Sequence, residues 1–381
     1  MRGAGTLPSS PFEELHRDAQ TRARAGTLAT AHGRIETPVF MPVATQGSVK
    51  ALSQQVLRDI KVTAILANTY HLYLRPGLEI LKKAGGLHRF MNWDKTILTD
   101  SGGYQIFSLS HLRKIEAGGV TFKSHHDGSL HHLTPEKVIE LQAGLGSYIW
   151  TCLDICPPFP CEAKAARSAL ETTQLWAERS WRAYEKLEKP ALLFGILQGS
   201  FYPDLRREAA EHLLRHPFQG IALGGFSVGE PKEKTWEILE ATLKELPSEK
   251  PVYLMGVGTP EDLWEAVGMG VDMFDCVWPT RNARNGQVMT SQGKLYIKNL
   301  QFRDDFGPLD PECGCEACRN YSRAYLSHLF RSRELLAHEI LSLHNVHFLI
   351  ELMRQIASSV RENRFLEAKK RFLTKWRSHV P

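Results

Sequence analysis

The chain has 381 residues, of which 43% are hydrophobic, with 47 basic and 42 acidic side chains and a formal net charge of +5. This apolar content excludes a largely disordered chain and is enough for one large domain with additions or for two domains. The mildly positive charge permits a nucleic-acid partner but does not argue for one, because the distribution of charges matters more than their sum.

The sequence gives no indication of a membrane span or of a secretory signal. No apolar run approaches the length that a bilayer-spanning helix needs, and the N-terminus lacks the apolar segment of a secretory signal. We therefore expect a cytoplasmic protein without a membrane partner.

Eight short apolar runs, each followed by a helical pattern, predict buried strands. They cover residues 38–45, 63–69, 96–103, 147–154, 191–200, 220–226, 251–258 and 271–277. Continuous apolar runs indicate a sheet buried on both faces and hence parallel strands. Eight such repeats predict an α/β fold of the (β/α)₈ TIM-barrel type. An open doubly wound sheet is the alternative, although no G-x-G-x-x-G follows the first strand.

Two segments depart from this pattern. Residues 118–132 predict an excursion after the third strand, a hairpin around Asp127 and Gly128. From about residue 303 the barrel-type strands stop and a helical segment runs to the C-terminus. We expect the barrel at 1–302, an inserted subdomain at 303–350, and a basic C-terminal helix at 351–381 packed back on the barrel.

Polar residues and glycines interrupt the apolar runs at their carboxyl ends: Asn68, Asp100, Asp154, Gln198, Gly224–Gly225, Gly256 and Asp275. That end of a (β/α)₈ barrel faces the active site, so we expect these residues to converge at one mouth. Ordinary turn chemistry would explain the glycines but explains three aspartates less well. Two carboxylates that flank a glycosidic bond can perform retaining chemistry, in which one attacks the anomeric carbon and the other transfers protons.

Glycine pairs and basic residues lie close to these aspartates in the sequence. Gly102–Gly103 and Gly224–Gly225 allow a flat ligand to approach the backbone. Tyr104 either stacks on a nucleobase, which contributes roughly 1–3 kcal/mol, or fills core space. Arg281 and Arg284 lie in a predicted basic loop after Asp275 that would suit a polyanion.

The chain contains seven cysteines, and three of them crowd into one segment with the spacing C-x-C-x₂-C: Cys313, Cys315 and Cys318. In a reducing compartment this cluster indicates metal binding rather than disulfide bonds. His344 is the best candidate for a fourth ligand, with His338 and His347 as alternatives. Three thiolates and one imidazole fill the four positions of zinc, so we expect one structural Zn²⁺ per subunit.

The chain resembles the bacterial tRNA-guanine transglycosylases in a combination of motifs: TDSGGYQ, LQGS, GGFSVGE, LMGVG, FDCVWPTRNARNG, and C-x-C-x₂-C with a distant histidine. Each motif alone is modest, but the combination is specific and runs from about Ala25 to Arg371. The resemblance implies a (β/α)₈ barrel with a zinc subdomain. It also implies a transferase that exchanges guanine at the wobble position of GUN-anticodon tRNAs for a 7-deazaguanine base in queuosine biosynthesis.

The resemblance also implies roles for individual residues. Asp275 would attack the ribose and form a covalent enzyme–RNA intermediate, and Asp100 would move the proton of the base. Substrate binding would fall to Asn68, Ser101, Gly102, Gly103, Tyr104, Asp154, Gln198, Gly225, Phe226 and Met255. The anticodon loop would contact Gly256, Val257, Gly258, Thr280, Arg281, Asn282, Ala283 and Arg284. Zinc would bind Cys313, Cys315, Cys318 and His344, and a homodimer would use Phe90, Tyr325 and His328.

Two positions depart from the family pattern, namely Ile155, where a glutamate is usual, and Phe226, where a leucine is usual. Val228 and Cys156 resemble the bacterial pattern for 7-aminomethyl-7-deazaguanine (preQ1), because a branched valine narrows the pocket. Queuine as the incoming base is the alternative. Other classes of function are a retaining glycoside hydrolase on the same barrel and a non-catalytic tRNA-binding subunit.

Overall fold

The structure, a computed structural model, describes residues 11–109, 113–187 and 191–377. Its strands in chain order are β1 (Phe12–Arg17), β2 (Arg24–Thr30), β3 (Gly33–Thr37), β4 (Val39–Ala44), β5 (Ala64–Asn68), β6 (Thr96–Asp100), β7 (Arg113–Glu116), β8 (Gly119–Lys123), β9 (Leu130–Leu133), β10 (Ile149–Thr151), β11 (Leu192–Leu197), β12 (Gly220–Leu223), β13 (Val252–Leu254), β14 (Met273–Cys276), β15 (Gln287–Thr290) and β16 (Gly293–Tyr296).

The α-helices in chain order are α1 (Gln54–Asp59), α2 (Thr69–Leu74), α3 (Leu78–Lys83), α4 (Leu87–Phe90), α5 (Gly103–Leu109), α6 (Pro135–Leu145), α7 (Ala163–Glu185), α8 (Pro203–Leu214), α9 (Lys232–Lys244), α10 (Pro260–Gly268), α11 (Trp278–Arg284), α12 (Glu316–Asn320), α13 (Arg323–Arg331), α14 (Leu335–Arg361) and α15 (Phe365–Arg377). None of the helices in the described ranges combines the length and the apolar character needed to cross a membrane.

Eight parallel strands form a closed barrel in the order β4, β5, β6, β10, β11, β12, β13 and β14, and β14 pairs again with β4. Each of the eight predicted apolar runs contains one of these strands. The predicted (β/α)₈ barrel is therefore confirmed. The open doubly wound alternative is wrong, because an open sheet would leave two edge strands without a partner and this sheet closes.

Side chains at alternate positions along the strands point into the barrel and fill its centre. Leu66, Leu98 and Met273 belong to one buried apolar cluster at this centre. Their chain neighbours belong to other clusters, in which the strands pack against the helices: Ile65, Ile97 and Phe274. Two residues after each inward-facing apolar side chain, the same alternation places a polar side chain at the carboxyl end of the barrel: Asn68, Asp100 and Asp275.

The antiparallel sheet β1–β2–β3, which the sequence did not predict, contributes Phe12, Leu28 and Ile35 to the same central cluster. Arg24 on β2 ties this sheet to the amino end of the barrel. Its Nε and Nη2 atoms donate to the two carboxylate oxygens of Asp272 at 2.9 and 2.6 Å. The side chains of this pair are only 4% and 0% exposed, so it is a buried bidentate ion pair.

The excursion after the third barrel strand is a three-stranded antiparallel sheet, β7–β8–β9. Strands β8 and β9 pair on either side of the turn that contains Asp127 and Gly128, which confirms the predicted hairpin. A second hairpin, β15–β16, follows the barrel and was not predicted.

The C-terminal segment is helical, as predicted. Helix α14 is continuous across residues 350 and 351, where the sequence placed a boundary, and the three-part division remains a prediction. Helix α15 stacks Phe372 on Trp376, with ring centroids 5.7 Å apart, and Trp376 is fully buried. Two of its basic side chains form ion pairs, Lys369 with Glu265 and Lys375 with Glu312.

We predict that Asp272→Ala destabilises the protein by about 3–5 kcal/mol, because it leaves the buried guanidinium of Arg24 with only the more distant carboxylate of Glu14, 3.5 Å away. The midpoint of urea denaturation measures this change. The control is Glu13→Ala, because the pair between Glu13 and Arg34 is 64% and 71% exposed. An exposed pair contributes only about 0–1 kcal/mol, so equal losses in the two variants would contradict the prediction.

Candidate active site and metal centre

Asp275 on β14 is 9% exposed and lies at the carboxyl end of the barrel. Its Oδ1 atom accepts hydrogen bonds from the Tyr253 hydroxyl at 2.5 Å and from the Gly256 N–H at 2.8 Å. Burial raises the pKa of Asp275, and these two hydrogen bonds oppose the rise. In the described part of the chain both hydrogen bonds to this carboxylate end on Oδ1, so Oδ2 is the oxygen left for a ligand.

Asp100 ends β6 and is also 9% exposed. Its neighbour in register on β5, Asn68, donates to Oδ2 at 2.6 Å, and the Thr69 N–H donates to Oδ1 at 3.3 Å. Burial raises the pKa of Asp100 to about 7; the charge of Asp275 adds to the rise and the hydrogen bonds oppose it. Asp100 is therefore present in both protonation states near neutral pH, which suits a group that gives up and takes back a proton.

Asp154 and Gln198 follow β10 and β11, and both side chains are buried. Gln198 donates from Nε2 to Asp154 Oδ2 at 2.8 Å, and the Ser101 hydroxyl donates to Oδ1 at 3.3 Å. Burial raises the pKa of Asp154 to about 6, and both hydrogen bonds oppose the rise. The Oε1 atom of Gln198 is buried and has no hydrogen-bond partner among the described residues. This edge of the mouth therefore offers a carboxylate and an unused amide oxygen to a polar ligand.

Two glycines allow these polar groups to sit against the backbone. A Cβ at Gly103 would lie 2.7 Å from Asp154 Oδ1, and a Cβ at Gly225, whose φ is +76°, would lie 2.7 Å from Gln198 Oε1. Tyr104 on α5 is 53% exposed, so the alternative in which it fills core space is wrong. Met255, directly after β13, is partly buried against the central apolar cluster. Both side chains therefore lie beside the mouth of the barrel and keep exposed surface that a ligand could contact.

Arg206 on α8 holds the backbone that follows β11 and β12, and it was not identified from the sequence. Its side chain is 1% exposed and donates to backbone carbonyls of Leu197, Ser200 and Gly224 at 3.2, 2.8 and 2.9 Å. Burial lowers the pKa of Arg206 to about 9. Arg206 therefore links the end of β11, which precedes Gln198, to the glycine pair after β12.

The two departures from the family pattern are both buried apolar side chains. The ring of Phe226 lies under the guanidinium of Arg206, with 4.3 Å from Cζ to the ring centroid. Ile155 packs into an apolar cluster with Tyr70, Phe122 and Trp176. A carboxylate in place of Ile155 would be buried among apolar groups, so the isoleucine fits the packing of this chain.

Arg281 and Arg284 lie on a two-turn helix, α11, where the sequence predicted a loop. Pro279 near the start of the helix explains the difference, because its fixed φ suits the first turn. Arg281 is exposed, Asn282 and Arg284 are partly exposed, and Gly256 is exposed in the preceding loop. The other four residues of the implied RNA-binding set are buried: Val257, Gly258, Thr280 and Ala283.

The cysteine cluster converges as predicted. The ligand atoms of four residues lie within 4.8 Å of one another: Cys313, Cys315, Cys318 and His344. His344 directs Nδ1 at the thiols of Cys315 and Cys318, at 3.4 and 3.2 Å, while Nε2 lies 2.6 Å from the Met289 carbonyl. That carbonyl accepts the Nε2–H and leaves Nδ1 free for a metal, so the donor set fits a tetrahedral ion.

The two alternative histidines lie outside this set. His347 Nδ1 is 3.6 Å from the Cys313 thiol, beside the cluster rather than within it. His338 packs its ring against Phe330, with centroids 5.6 Å apart. The cluster of described residues that could hold a metal ion is therefore the one with His344.

Tyr253, like Arg206, was not among the predicted site residues. Its position could have been inferred from the sequence, because it lies two residues before Met255 and strand alternation turns both side chains inward. Arg206 carries no comparable signal. In the sequence it is one of two adjacent arginines on an amphipathic helix, and only the fold shows that its side chain points inward.

Comparisons with known proteins agree with this geometry. A family model described as queuine tRNA-ribosyltransferase matches residues 18–378. A queuine tRNA-ribosyltransferase of Thermoanaerobacter sp. (strain X514) is 56% identical over 365 residues, which cover 96% of this chain and 97% of that protein. Proteins with the same name from Halothermothrix orenii and Dictyoglomus turgidum are each 52% identical. They align over 97% and 96% of this chain and over 98% and 94% of their own lengths.

The matched region extends across the barrel, the carboxylate site and the cysteine cluster, so the likeness is not confined to the fold. With a family model that covers nearly all of the sequence and relatives above half identity, the chain belongs to the queuine tRNA-ribosyltransferase family of pentosyltransferases.

Proposed function

We propose that the protein exchanges guanine at the wobble position of GUN-anticodon tRNAs for preQ1, by double displacement through a covalent enzyme–tRNA intermediate. The observation that carries this proposal is the pair of buried carboxylates at the mouth of the barrel. Asp275 has an oxygen left for a ligand, and Asp100 has a pKa of about 7. One carboxylate suits nucleophilic attack and the other suits proton transfer.

In the first displacement, Asp275 Oδ2 attacks C1′ of the ribose as the glycosidic bond to guanine breaks. The bonding electrons leave with guanine, which takes a proton from Asp100. The hydrogen bonds to Asp275 Oδ1 from Tyr253 and Gly256 hold the carboxylate in place without occupying the attacking oxygen. Asn68 and the Thr69 N–H hold the two oxygens of the Asp100 carboxyl group in place.

In the second displacement the incoming base loses a ring proton to the Asp100 carboxylate and attacks C1′, which releases Asp275 as a carboxylate. The ester is reversible, as an exchange reaction requires, because the leaving carboxylate is weakly basic. Asp154 and Gln198 supply hydrogen-bond acceptors to the base edge, and the Gly225 amide supplies a donor. Tyr104 and Met255 enclose the two faces of the base. The base must be extruded from its stack to reach this depth.

For the incoming base we favour preQ1, with queuine as the alternative. Val228 lies on the loop after β12 and is partly buried, and its N–H donates to Glu230 at 2.8 Å. A branched side chain held in this loop narrows the pocket on the side where a queuine substituent would extend. Competition between the two free bases for the trapped intermediate distinguishes them.

For RNA contacts we propose Arg281 and Arg284, because α11 begins three residues after Asp275 and carries both cations beside the mouth. A homodimer would use the exposed side chains Phe90, Tyr325 and His328. Two observations support this surface. Leu87 on α4 and Leu326 on α13 belong to one apolar cluster, and Phe90 and Tyr325 on the same two helices are 45% and 42% exposed.

Two other classes of function are less well supported. A retaining glycoside hydrolase would use the same carboxylate pair but gives no reason for the metal centre or for α11. A non-catalytic tRNA-binding subunit would not need two buried carboxylates, Asp100 and Asp275, next to the base-binding groups. Labelled guanine and tRNA separate these possibilities, because base exchange without hydrolysis supports only the transglycosylase.

We predict that Asp275→Asn abolishes the denaturation-resistant protein–tRNA adduct and lowers guanine exchange by about 10⁴-fold or more. The amide keeps an oxygen that can accept from Tyr253 and Gly256, so the fold should survive while the nucleophile is lost. The adduct is measured by gel shift after denaturation, with its attachment site mapped by mass spectrometry. Asp94→Asn, which changes a carboxylate that is 59% exposed, is the control and should behave as wild type.

Asp100 predicts a pH dependence of the first displacement. Departure of guanine needs the protonated acid, and the pKa of Asp100 is about 7. The single-turnover rate of adduct formation should therefore fall as the pH rises above about 7, approaching about a tenfold loss per pH unit. Asp100→Asn should be slow and should lack this descending limb. A wild-type rate that stays constant between pH 6 and 9 would contradict the assignment.

For the metal centre we propose Zn²⁺ bound by Cys313, Cys315, Cys318 and His344, where it would cross-link α12 to α14 and take no part in the chemistry. Cys313→Ser should lower the metal content, the thermal unfolding midpoint and the affinity for tRNA, because a structural metal contributes folding free energy. Cys161→Ser is the matched control, since Cys161 lies outside the cluster. Full tRNA affinity in a verified metal-free sample would refute the structural role.

A further inference from the structure

Asn345 directly follows the metal ligand His344 on α14 and is completely buried. Its side-chain amide makes three hydrogen bonds, all to backbone atoms of a distant segment. Oδ1 accepts from the Met289 N–H at 3.0 Å, and Nδ2 donates to the carbonyls of Pro279 and Gln287, each at 3.0 Å. Both amide hydrogens are therefore in use, and the side chain is unavailable to a ligand.

The three hydrogen bonds end on both sides of the turn that connects α11 to β15. Pro279 lies in the first turn of α11, whereas Gln287 and Met289 lie on β15. His344 adds a fourth contact, because its Nε2 atom lies 2.6 Å from the Met289 carbonyl. Two consecutive residues of α14 therefore hold the N–H and the carbonyl of the same strand residue, and one of them also reaches the helix.

Helix α11 needs external support of this kind. It has seven residues, and helices of that length are marginal in water because nucleation is costly. It also carries the exposed Arg281 and the partly exposed Arg284, which repel each other. Two kinds of contact among the described residues hold α11 in place. Its buried face, which includes Ala283, packs into an apolar cluster, and Asn345 donates a hydrogen bond to the Pro279 carbonyl.

We propose that Asn345 is a positioning residue that couples the metal centre to α11 and thereby sets where Arg281 and Arg284 lie relative to Asp275. This inference rests on the proposed function, because it assigns the RNA-contacting cations to α11. A metal ion bound by His344 would immobilise this part of α14. The three hydrogen bonds of Asn345 would then fix the α11–β15 segment relative to α14. Loss of the amide should therefore impair recognition of tRNA while leaving metal binding and base binding intact.

The test compares Asn345→Leu, which removes all three hydrogen bonds at similar volume, with Ser342→Ala. Ser342 lies one turn earlier on α14, and its hydroxyl is buried without a hydrogen-bond partner among the described residues, which makes it a matched control. We expect Asn345→Leu to raise the KM for tRNA about tenfold, with the KM for guanine within twofold of wild type and one metal ion retained per chain. Ser342→Ala should match wild type in all three measurements.

A second arm tests whether the effect passes through α11. In an Arg281→Ala, Arg284→Ala background the effect of Asn345→Leu on the KM for tRNA should largely disappear, because residues that act through one element are not additive. Full additivity would overturn the proposal. So would loss of the metal, or equal increases in the KM values for tRNA and guanine, since either would indicate a general structural defect.

Hydrogen exchange separates this inference from the proposed function. Amides of residues 280–289 should exchange faster in the Asn345→Leu variant, whereas those of β6 should be unchanged. Unchanged exchange at 280–289 would refute the positioning role. If the wild-type protein does not replace guanine in tRNA, the proposed function fails. The hydrogen-exchange measurement would still decide whether Asn345 positions the α11–β15 segment. Asn345→Asp, which keeps the acceptor for Met289 and loses both donations, replaces Asn345→Leu if the latter does not fold.

Discussion

Two carboxylates are nearly removed from water at the carboxyl end of a packed barrel, and this desolvation determines the electrostatics of the site. Asp100 and Asp275 are each 9% exposed, and burial is the main cause of the raised pKa of both. A buried charge is costly unless it is hydrogen-bonded. Asp100 accepts hydrogen bonds from Asn68 and from the backbone of Thr69 and Gly102. Asp275 accepts two hydrogen bonds, both on Oδ1, which leaves its Oδ2 atom for a ligand.

The strand that carries Asp275 shows how differently the two ends of the barrel treat an aspartate. Asp272, at the amino end, meets the guanidinium of Arg24 in a bidentate pair and also accepts the Val252 N–H. Three residues later, Asp275 meets a hydroxyl and an amide, and no ion pair in the described part of the chain includes it. The aspartate at the amino end is fully paired, whereas the aspartate at the carboxyl end keeps one carboxylate oxygen without a hydrogen bond from the described residues.

Much of this arrangement could be predicted from local patterns. The eight barrel strands were recognised because continuous apolar runs alternate with helical segments, and the polar residues that end those runs do lie at one mouth. The C-x-C-x₂-C spacing likewise indicated the cluster of three cysteines and a histidine that could hold a metal ion. The sheet β1–β2–β3 was missed because its short strands lie outside the repeating pattern, and α11 was predicted as a loop because its polar residues outweighed the helix-starting proline.

The amino-acid order alone was sufficient for the architecture, the family and the chemical types at the site, since these follow from periodicity, strand ends and motif spacing. The pairings of side chains required the folded chain. Tyr253 reaches Asp275 across neighbouring strands, Arg206 links two strand ends from a helix, and Asn345 holds a segment more than fifty residues earlier. Such contacts join residues far apart in sequence, and whether a polar side chain is buried or exposed is decided only when the barrel closes around it.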